Sequence, residues 1–509
     1  MNLSDVIAHH ADRHPERPAL SMGREEVTYA GLHERVQRTA GALRGAGVER
    51  GTVVGVLLHN CPEFIDVMLA TAHIGGVFMP LNWRLAPAEL TYICGHAGAR
   101  VLVSEPELAP QLDDFHSTAG DVAAWLAVGE PSGRWAPLAE LVAGAEPVRE
   151  AALVGLDDTM RLMYTSGTTS RPKGVMISYA NLYWKCIAQV LELEMTFEDR
   201  GVACGPLYHV GALDMTTTNM LYAGGSTHIL PKFDPHALVD VIEERGITNL
   251  WLAPAMVNML MAARAAEGRD VSTLRLLLDG GEKMPLPLIE RVLDTFPGVW
   301  FCDGYGLTET VSGDTYLDKG KMLDKLGSVG KPILHTQVRI LDPEDEPLPP
   351  GEVGEIVIRG PKVCKGYWRD EETTATAMRG GWFHTGDLGY LDADGFLFIV
   401  DRLKDMIISG GENIASLEVE RTLYEHPAVQ EVAVVGSPHP RWNEVPVAYV
   451  VPRDGASTDE AELDAFCRER LAKYKTPKGF RFLEELPRNP SGKVLKRELR
   501  DRENEAVQG

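Results

Sequence analysis

Apolar residues in this chain come in short runs separated by amphipathic stretches. Val53-Val54-Gly55-Val56-Leu57-Leu58 is a run of strand length. A helical pattern over Ile65–Ala72 follows, then a second run, Val77-Phe78-Met79-Pro80-Leu81. The order returns in Thr227–Leu230 before a helical Pro235–Arg245, and in Leu274–Leu278 before a helical Leu286–Phe296. Near-continuous apolar runs alternating with helices predict parallel strands covered on both faces, hence α/β architecture.

From about Val329 the texture changes. Val338–Leu341, Gly354–Arg359 and Phe396–Val400 lie among many Gly, Pro and Asp turns, which predicts a β-rich subdomain. After Arg402 it changes again, with Glu418–Tyr424 and Glu460–Ala472 reading as helices and Val429–Gly436 and Pro446–Val451 as strands. That tail predicts a small α+β module. The expected division is a large N-terminal domain over 1–403, of parallel sheets with helices plus the β-rich subdomain, and a C-terminal domain over 404–509.

Composition narrows the partners. The 509 residues are too many for one ordinary domain. Asp plus Glu number 73 against 50 Lys plus Arg, a formal charge of −23, so the surface repels nucleic acid and anionic membrane. Any polyanion site must therefore build a local positive field. No stretch approaches ~20 uninterrupted apolar residues, and Met1–Arg17 carries no apolar signal segment. Seven cysteines (61, 94, 186, 204, 302, 364, 467) are scattered without Cys-x-x-Cys spacing, which fits reduced thiols rather than disulfides or zinc. The expectation is a cytoplasmic protein with no nucleic-acid partner and no stable membrane association; a homodimer is compatible with it.

The densest chemistry is Thr165-Ser166-Gly167-Thr168-Thr169-Ser170-Arg171-Pro172-Lys173-Gly174, directly after the apolar Leu162-Met163-Tyr164. Glycines let backbone N–H groups approach an anion, and hydroxyls and an ammonium add donors. The spacing is not that of a Walker A loop. Read alone, a stretch of this composition is more often a flexible surface loop.

Five further motifs stand in order behind it: Tyr305-Gly306-Leu307-Thr308-Glu309, His384-Thr385-Gly386-Asp387, Asp401-Arg402-Leu403-Lys404-Asp405, Gly410-Gly411-Glu412-Asn413 and Ser491-Gly492-Lys493. Together the six resemble the signatures of the adenylate-forming superfamily, which includes acyl-CoA synthetases, luciferases and peptide-synthetase adenylation domains. The resemblance covers the chain from about Val6 to Leu499. It implies ATP, Mg²⁺ and coenzyme A, a small carboxylic acid substrate, and a hinge between two domains. A carboxylate takes AMP from ATP to give an acyl adenylate, and a thiol then displaces AMP.

The resemblance also implies roles. Lys173 with Thr165, Ser166, Gly167, Thr168 and Thr169 would hold the β- and γ-phosphates, where positioning and charge neutralisation matter most. Glu309 with Thr168 would bind Mg²⁺, a hard cation suited to oxygen ligands, and Thr308 would touch the α-phosphate. Tyr305 would stack on adenine, with Gly304 and Gly306 leaving room, Asp303 accepting from the amino group, and Gly280, Gly281 and Glu282 flanking the ring. Asp387 would hold the ribose hydroxyls, assisted by Arg402. Lys493 would pair with the reacting carboxylate and the α-phosphate, Lys404 would be the hinge, and His209 would gate the acyl pocket. Gly410 and Gly411 would line the pantetheine path, with Trp442, Tyr474 and Lys478 at the CoA nucleotide.

Ser170 and Asn443 stand where relatives carry glycine. Asp214 and Asp279, with Gly304, fall in segments that line the acyl pocket in relatives. A buried carboxylate needs a partner, so these two aspartates suggest a substrate with a polar or cationic group. The primary reading is a fatty- or aromatic-acid (cinnamate- or benzoate-like) CoA ligase. The alternative keeps adenylation but changes the acceptor or acid, as in carrier-protein loading or a nitrite-activating diazotase acting on an aryl amine.

Overall fold

The computed structural model describes residues 2–118, 122–130, 132–165, 171–280, 286–410, 412–453, 455–488 and 494–508. The chain forms two compact units. Unit 1 comprises Met1–Met284, Arg291–Gln337 and Ile358–Phe383; unit 2 comprises Pro285–Glu290, Val338–Val357 and His384–Gly509. The C-terminal module thus shares a unit with part of the β-rich segment.

Unit 1 is α/β, with two large sheets among the described residues. One orders its strands as Ala136–Pro137, Ala124–Ala127, Ala99–Ser104, Val53–Leu57, Val77–Pro80, Thr159–Thr165 and Lys173–Ser178. The first six pair in parallel; the last two form an antiparallel hairpin. The other runs Lys331–Pro332, Thr315–Tyr316, Trp300–Tyr305, Leu276–Gly280, Asn249–Leu252, Arg200–Ala203, Ser226–Ile229, Pro18–Met22 and Glu25–Thr28. Val53–Leu57 is buried at every position, as a strand covered on both faces must be.

Local chemistry explains the helices. Pro62–His73 starts with proline in its first turn, where no N–H partner is lost. Asp234 caps Pro235–Arg245 by accepting from the His236 and Ala237 amides, and Gly246 ends it in left-handed geometry at φ 60°. Ser178 and Asn181 cap Tyr179–Glu192 reciprocally: Asn181 N donates to Ser178 Oγ at 3.1 Å, and Ser178 N donates to Asn181 Oδ1 at 2.9 Å.

Periodicity does not anticipate Gly211–Thr218, which winds as a π-helix. A Cβ on Gly211 would lie 2.5 Å from the Trp251 ring, so the backbone runs hard against that indole. Wide turns of this kind concentrate at functional sites.

Gln337–Leu341, Gly354–Arg359, Phe383–Leu391 and Leu397–Arg402 form a four-stranded sheet, most of whose residues belong to unit 2. A second sheet orders Glu412–Ile414, Ile407–Ser409, Asn443–Pro452 and Val429–His439, with Phe480–Phe482 joined to Asn443–Pro452. The helices Ser416–Tyr424 and Glu460–Arg470 bury Val419, Leu423, Leu463 and Cys467 in this unit's core. The cysteines are all free thiols. Among the described residues, no helix is long and apolar enough to cross a membrane.

Candidate functional site

The Gly/Ser/Thr-rich motif is flanked by two antiparallel strands. Thr165 ends one strand, Lys173 begins the next, and the two sit opposite each other in register. Ser166, Gly167, Thr168, Thr169 and Ser170 lie outside the described residues. Beside the hairpin is a cleft of about 270 Å³ lined by His96, Arg171, Lys173, Tyr367 and Asp370. Here the acidic chain presents clustered cations. The Lys173 ammonium lies 5.4 Å from the centre of the Tyr367 ring, and the Tyr367 hydroxyl donates to Glu309 Oε1 at 3.0 Å. Burial, reinforced by the Glu309 charge, pushes the Tyr367 phenol far above its ordinary range, so it stays a donor. One tyrosine thus touches both the lysine and the glutamate of two separate motifs.

Thr308 and Glu309 occupy a single 3₁₀ turn, Thr308–Thr310, between the antiparallel strands Trp300–Tyr305 and Thr315–Tyr316. Both are half-buried. The next three residues, Val311, Ser312 and Gly313, all adopt left-handed backbone, with φ 54°, 62° and 57°. The glycines here make room for the protein itself. A Cβ on Gly306 would lie 2.2 Å from Gly313 N, one on Gly304 would lie 2.9 Å from the Tyr316 ring, and one on Gly280 would lie 2.8 Å from Gly304 O. Tyr305 is half-buried at the strand end, its carbonyl accepting from Asp314 N at 2.6 Å. Gly281 and Glu282 lie outside the described residues.

Asp279 and Asp303 stand opposite each other near the C-terminal ends of adjacent parallel strands, 2% and 5% exposed. Burial pushes the Asp303 carboxyl up to about 8. At neutral pH a carboxyl of that kind keeps its proton, presenting one donor and one acceptor as an amide does. His209 is half-buried and stacks on Trp251, with ring centres 6.2 Å apart and planes at 30°. Its Nδ1 accepts from Gly211 N at 3.1 Å.

Asp214 is corrected from a pocket residue to a core residue. It is fully buried, and Arg161 grips it with Nη1 on Oδ1 at 3.0 Å and Nη2 on Oδ2 at 2.6 Å. Thr218 Oγ1 adds a bond to Oδ1 at 3.1 Å, and Lys185 Nζ stands 3.9 Å away. Burial opposes ionisation, but the Arg161 and Lys185 charges outweigh it and hold the carboxyl below the usual carboxylate range. The partner that a buried carboxylate needs is therefore supplied by the protein, not by a substrate.

In unit 2, Asp387 pairs in register with Arg402 across antiparallel strands, and Arg402 Nε lies 3.2 Å from Asp387 Oδ1. The turn before Asp387 is fixed: His384 Nδ1 lies 2.8 Å from Glu355 Oε2, Gly386 N donates to Glu355 Oε1, and Thr385 Oγ1 donates to the Ile356 carbonyl. Lys404 lies inside this unit, its carbonyl accepting from Arg500 Nη1 at 2.8 Å. Gly410 has φ 60° and donates its N–H to the Trp442 carbonyl at 2.7 Å. Asn443 takes the left-handed geometry that glycine would otherwise supply, at φ 69°. Trp442 and Tyr474 are exposed large rings, with the Arg441 guanidinium 4.5 Å over the indole. Lys478 is exposed, and its Nζ donates to the Lys473 carbonyl. Gly411 and Lys493 lie outside the described residues.

The AMP-binding enzyme family matches residues 7–368, and the AMP-binding enzyme C-terminal domain matches residues 418–493. The chain belongs to the AMP-binding enzyme family. The feruloyl-CoA synthase of an Amycolatopsis species is 43% identical over 488 residues, 96% of either chain. The solved o-succinylbenzoate CoA synthetase of Bacillus subtilis, in complex with its acyl-adenylate intermediate, superposes with a TM-score of 0.88. It is 33% identical and covers 97% of this chain and 98% of its own. An anthranilate CoA ligase in complex with anthranoyl-AMP gives a TM-score of 0.93 at 26% identity, over 100% and 98%. With CoA synthetases and ligases as full-length relatives, the activity class is AMP-forming acid–CoA ligation.

Several residues around this AMP-binding enzyme's site escape sequence reasoning. The helix Tyr179–Glu192 carries Asn181, Lys185 and Gln189 four residues apart, hence on one face, and all three are buried. Asn181 Nδ2 donates to the Pro361 and Val363 carbonyls, Lys185 Nζ to the Asp214 carbonyl, Thr218 Oγ1 and Asn219 Oδ1, and Gln189 Nε2 to the Ser312 carbonyl. The available signal was a polar residue every fourth position in an otherwise apolar helix. Tyr367 and Lys362 carry no comparable signal. Glu309 is the described residue that would hold Mg²⁺. Its oxygen-only chemistry, with one carboxylate held in place by Tyr367, fits a hard cation that takes its remaining ligands from phosphate and water.

Proposed function

We propose that this chain is an ATP- and Mg²⁺-dependent aromatic-acid–CoA ligase acting through an acyl adenylate. The observation that carries the reading is Tyr367 joining Lys173 to Glu309, because it sets a phosphate-binding cation beside a metal-binding carboxylate. The relatives that act on feruloyl, o-succinylbenzoyl and anthranoyl groups support an aromatic acid. The flat His209–Trp251 stack at the start of the π-helix offers a ring-binding surface of the matching kind.

In this reading a carboxylate oxygen of the acid attacks the α-phosphorus, and pyrophosphate leaves. Mg²⁺, when bound at Glu309, supplies charge neutralisation for the phosphates. Lys173, Thr165 and the Ser166–Thr169 hydroxyls hold the departing pyrophosphate, and Thr308 and Lys493 donate to the α-phosphate as charge develops. Tyr305 stacks on adenine, flanked by Gly280, Gly281 and Glu282. Asp303, protonated, faces the adenine edge as an amide would. Asp387 and Arg402 hold the ribose. The CoA sulfur then attacks the acyl carbon and AMP leaves. For that step Gly410 and Gly411 line a thin path for pantetheine, with Trp442, Tyr474 and Lys478 on the nucleotide. Lys404 serves as the hinge between the 1–403 and 404–509 segments. Asp279 remains the acidic residue proposed for the acyl pocket, selecting acids with a donor substituent on the ring.

The test is a pyrophosphate-release panel over fatty, cinnamic, benzoic and amino-substituted aromatic acids and nitrite, each with and without CoA. Ring acids should give the strongest release, with sustained turnover only when CoA is present. Best activity on plain long-chain fatty acids, or turnover with nitrite and an aryl amine but none with CoA, overturns the reading.

A further inference from the structure

Lys362 is 2% exposed, and the catalytic reading gives it no role. Its ammonium donates to the Thr310 carbonyl at 2.6 Å and the Ser312 carbonyl at 2.9 Å, and stands 2.6 Å from Asp314 Oδ1. The two carbonyls accept hydrogen bonds from the ammonium, and the Asp314 carboxylate is its counter-charge. Ser312 belongs to the left-handed stretch Val311–Gly313 behind Glu309, and Thr310 and Asp314 flank it on either side. Asp314 accepts in addition from the Thr310 hydroxyl.

The turn is not self-sustaining. Three consecutive left-handed residues, two of them bearing side chains, are sterically unfavourable and persist only where the surroundings impose them. The Ser312 carbonyl within it and the Thr310 carbonyl before it accept from the buried ammonium, and Gln189 Nε2 adds a further bond to the Ser312 carbonyl at 2.7 Å. Burial pushes the Lys362 ammonium down and the Asp314 carboxyl up, while each charge favours the other.

The segment carrying Lys362 also grips both ends of the site. Cys364 N donates to the Glu309 carbonyl at 2.7 Å, and Tyr367 OH holds the Glu309 carboxylate. Met176 N donates to the Gly366 carbonyl, and Trp368 N to the Gly174 carbonyl at 2.7 Å, which ties the segment to the strand that begins at Lys173. Asn181 pins its start through the Pro361 and Val363 carbonyls. A strap over 361–368 therefore spans from the phosphate lysine to the metal glutamate, with Lys362 as its buried anchor.

We propose that Lys362, paired with Asp314, is a positioning residue that sets the Glu309 carboxylate for the metal of MgATP. The proposal rests on the reading of Glu309 as the metal ligand. Residues that orient a metal ligand typically change metal affinity by ~10–100-fold when replaced.

The test is calorimetric titration of ATP into the full chain without acid, so that no turnover occurs, over a series of Mg²⁺ concentrations. Lys362→Met, and the charge-neutral Lys362→Met/Asp314→Asn, should raise the Mg²⁺ needed for tight ATP binding by at least about tenfold. Affinity for ATP without Mg²⁺ should stay near wild type, and Lys362→Arg, which keeps charge and donors, should recover most of the Mg²⁺ response. An unchanged Mg²⁺ response, an equal loss of Mg²⁺-free and Mg²⁺-dependent binding, or failure of both Met variants to fold overturns the proposal in favour of a purely structural ion pair. Glu309→Gln is the reference. If it leaves the Mg²⁺ response untouched, the metal reading itself falls. If it shifts the response and Lys362→Met does not, only the role of Lys362 falls.

Discussion

Asp214→Asn separates a core role from a pocket role. In the folded chain the carboxylate, Arg161 and Lys185 are all fully buried, with Arg161 bidentate on both carboxylate oxygens. The amide removes the negative charge and leaves two buried cations facing a neutral group. Breaking a buried pair on one side costs about 3–5 kcal/mol, because the remaining charge has no counter-charge in low dielectric. Unit 1 has roughly 360 residues, and unfolding entropy is about 2.1 cal/mol/K per residue, so this loss lowers Tm by about 4–7 °C. Differential scanning calorimetry of the full chain reads the shift. The folded fraction should keep the wild-type KM for the acid, since the Asp214 carboxylate is fully buried on Arg161. Arg161→Met/Asp214→Leu, which removes the bidentate pair together, should recover a large part of the lost Tm. The reasoning is refuted if Asp214→Asn keeps the wild-type Tm while raising the KM of amino- or hydroxyl-substituted acids alone.

Three further outcomes are expected. Lys493→Ala should lower pyrophosphate release by ~10²–10³-fold yet leave thioester formation from supplied acyl-AMP near wild type; equal loss of both steps removes the residue from the adenylation half. Burial pushes the Asp303 carboxyl up to about 8, well above the ordinary carboxylate range, so its contribution to stability is full below about pH 4 and is lost as pH rises through 8. Asp303→Asn should accordingly gain Tm relative to wild type between pH 5 and 8.5, and parallel melting profiles contradict this. Gly410→Ala places a Cβ 2.7 Å from the Trp442 ring at φ 60°, a backbone strain of ~1–2 kcal/mol. CoA-dependent thioester formation should slow while acid-dependent pyrophosphate release holds; loss of pyrophosphate release instead argues against a CoA-side role for this glycine.

Much of the fold was legible because its signals are local. Buried parallel strands such as Val53–Leu57 announce themselves as apolar runs. Helix limits such as Pro235–Arg245 follow from Asp234, Pro235 and Gly246. The ordered motifs carried the family and its activity class, since backbone-shaped loops with fixed glycines and hydroxyls are written in consecutive residues. The π-helix Gly211–Thr218 was not legible, because its winding answers to the Trp251 ring from a different strand.

The sequence by itself thus determined the architecture, the chemistry of adenylate formation, and the identity of Lys173, Glu309 and Asp387 as the residues to weigh. Tertiary structure decided what surrounds them. Asp214 reads from the sequence as a residue awaiting a polar or cationic substrate; in the fold Arg161, 53 positions away, closes on it. Tyr367 and Lys362 looked ordinary until folding set them against Glu309 and Thr310, more than fifty positions distant. The physical reason is the same in each case. Hydrophobic periodicity and turn chemistry act between near neighbours, whereas the stability of a buried charge depends on whichever partner the fold delivers, and spacing along the chain does not encode it.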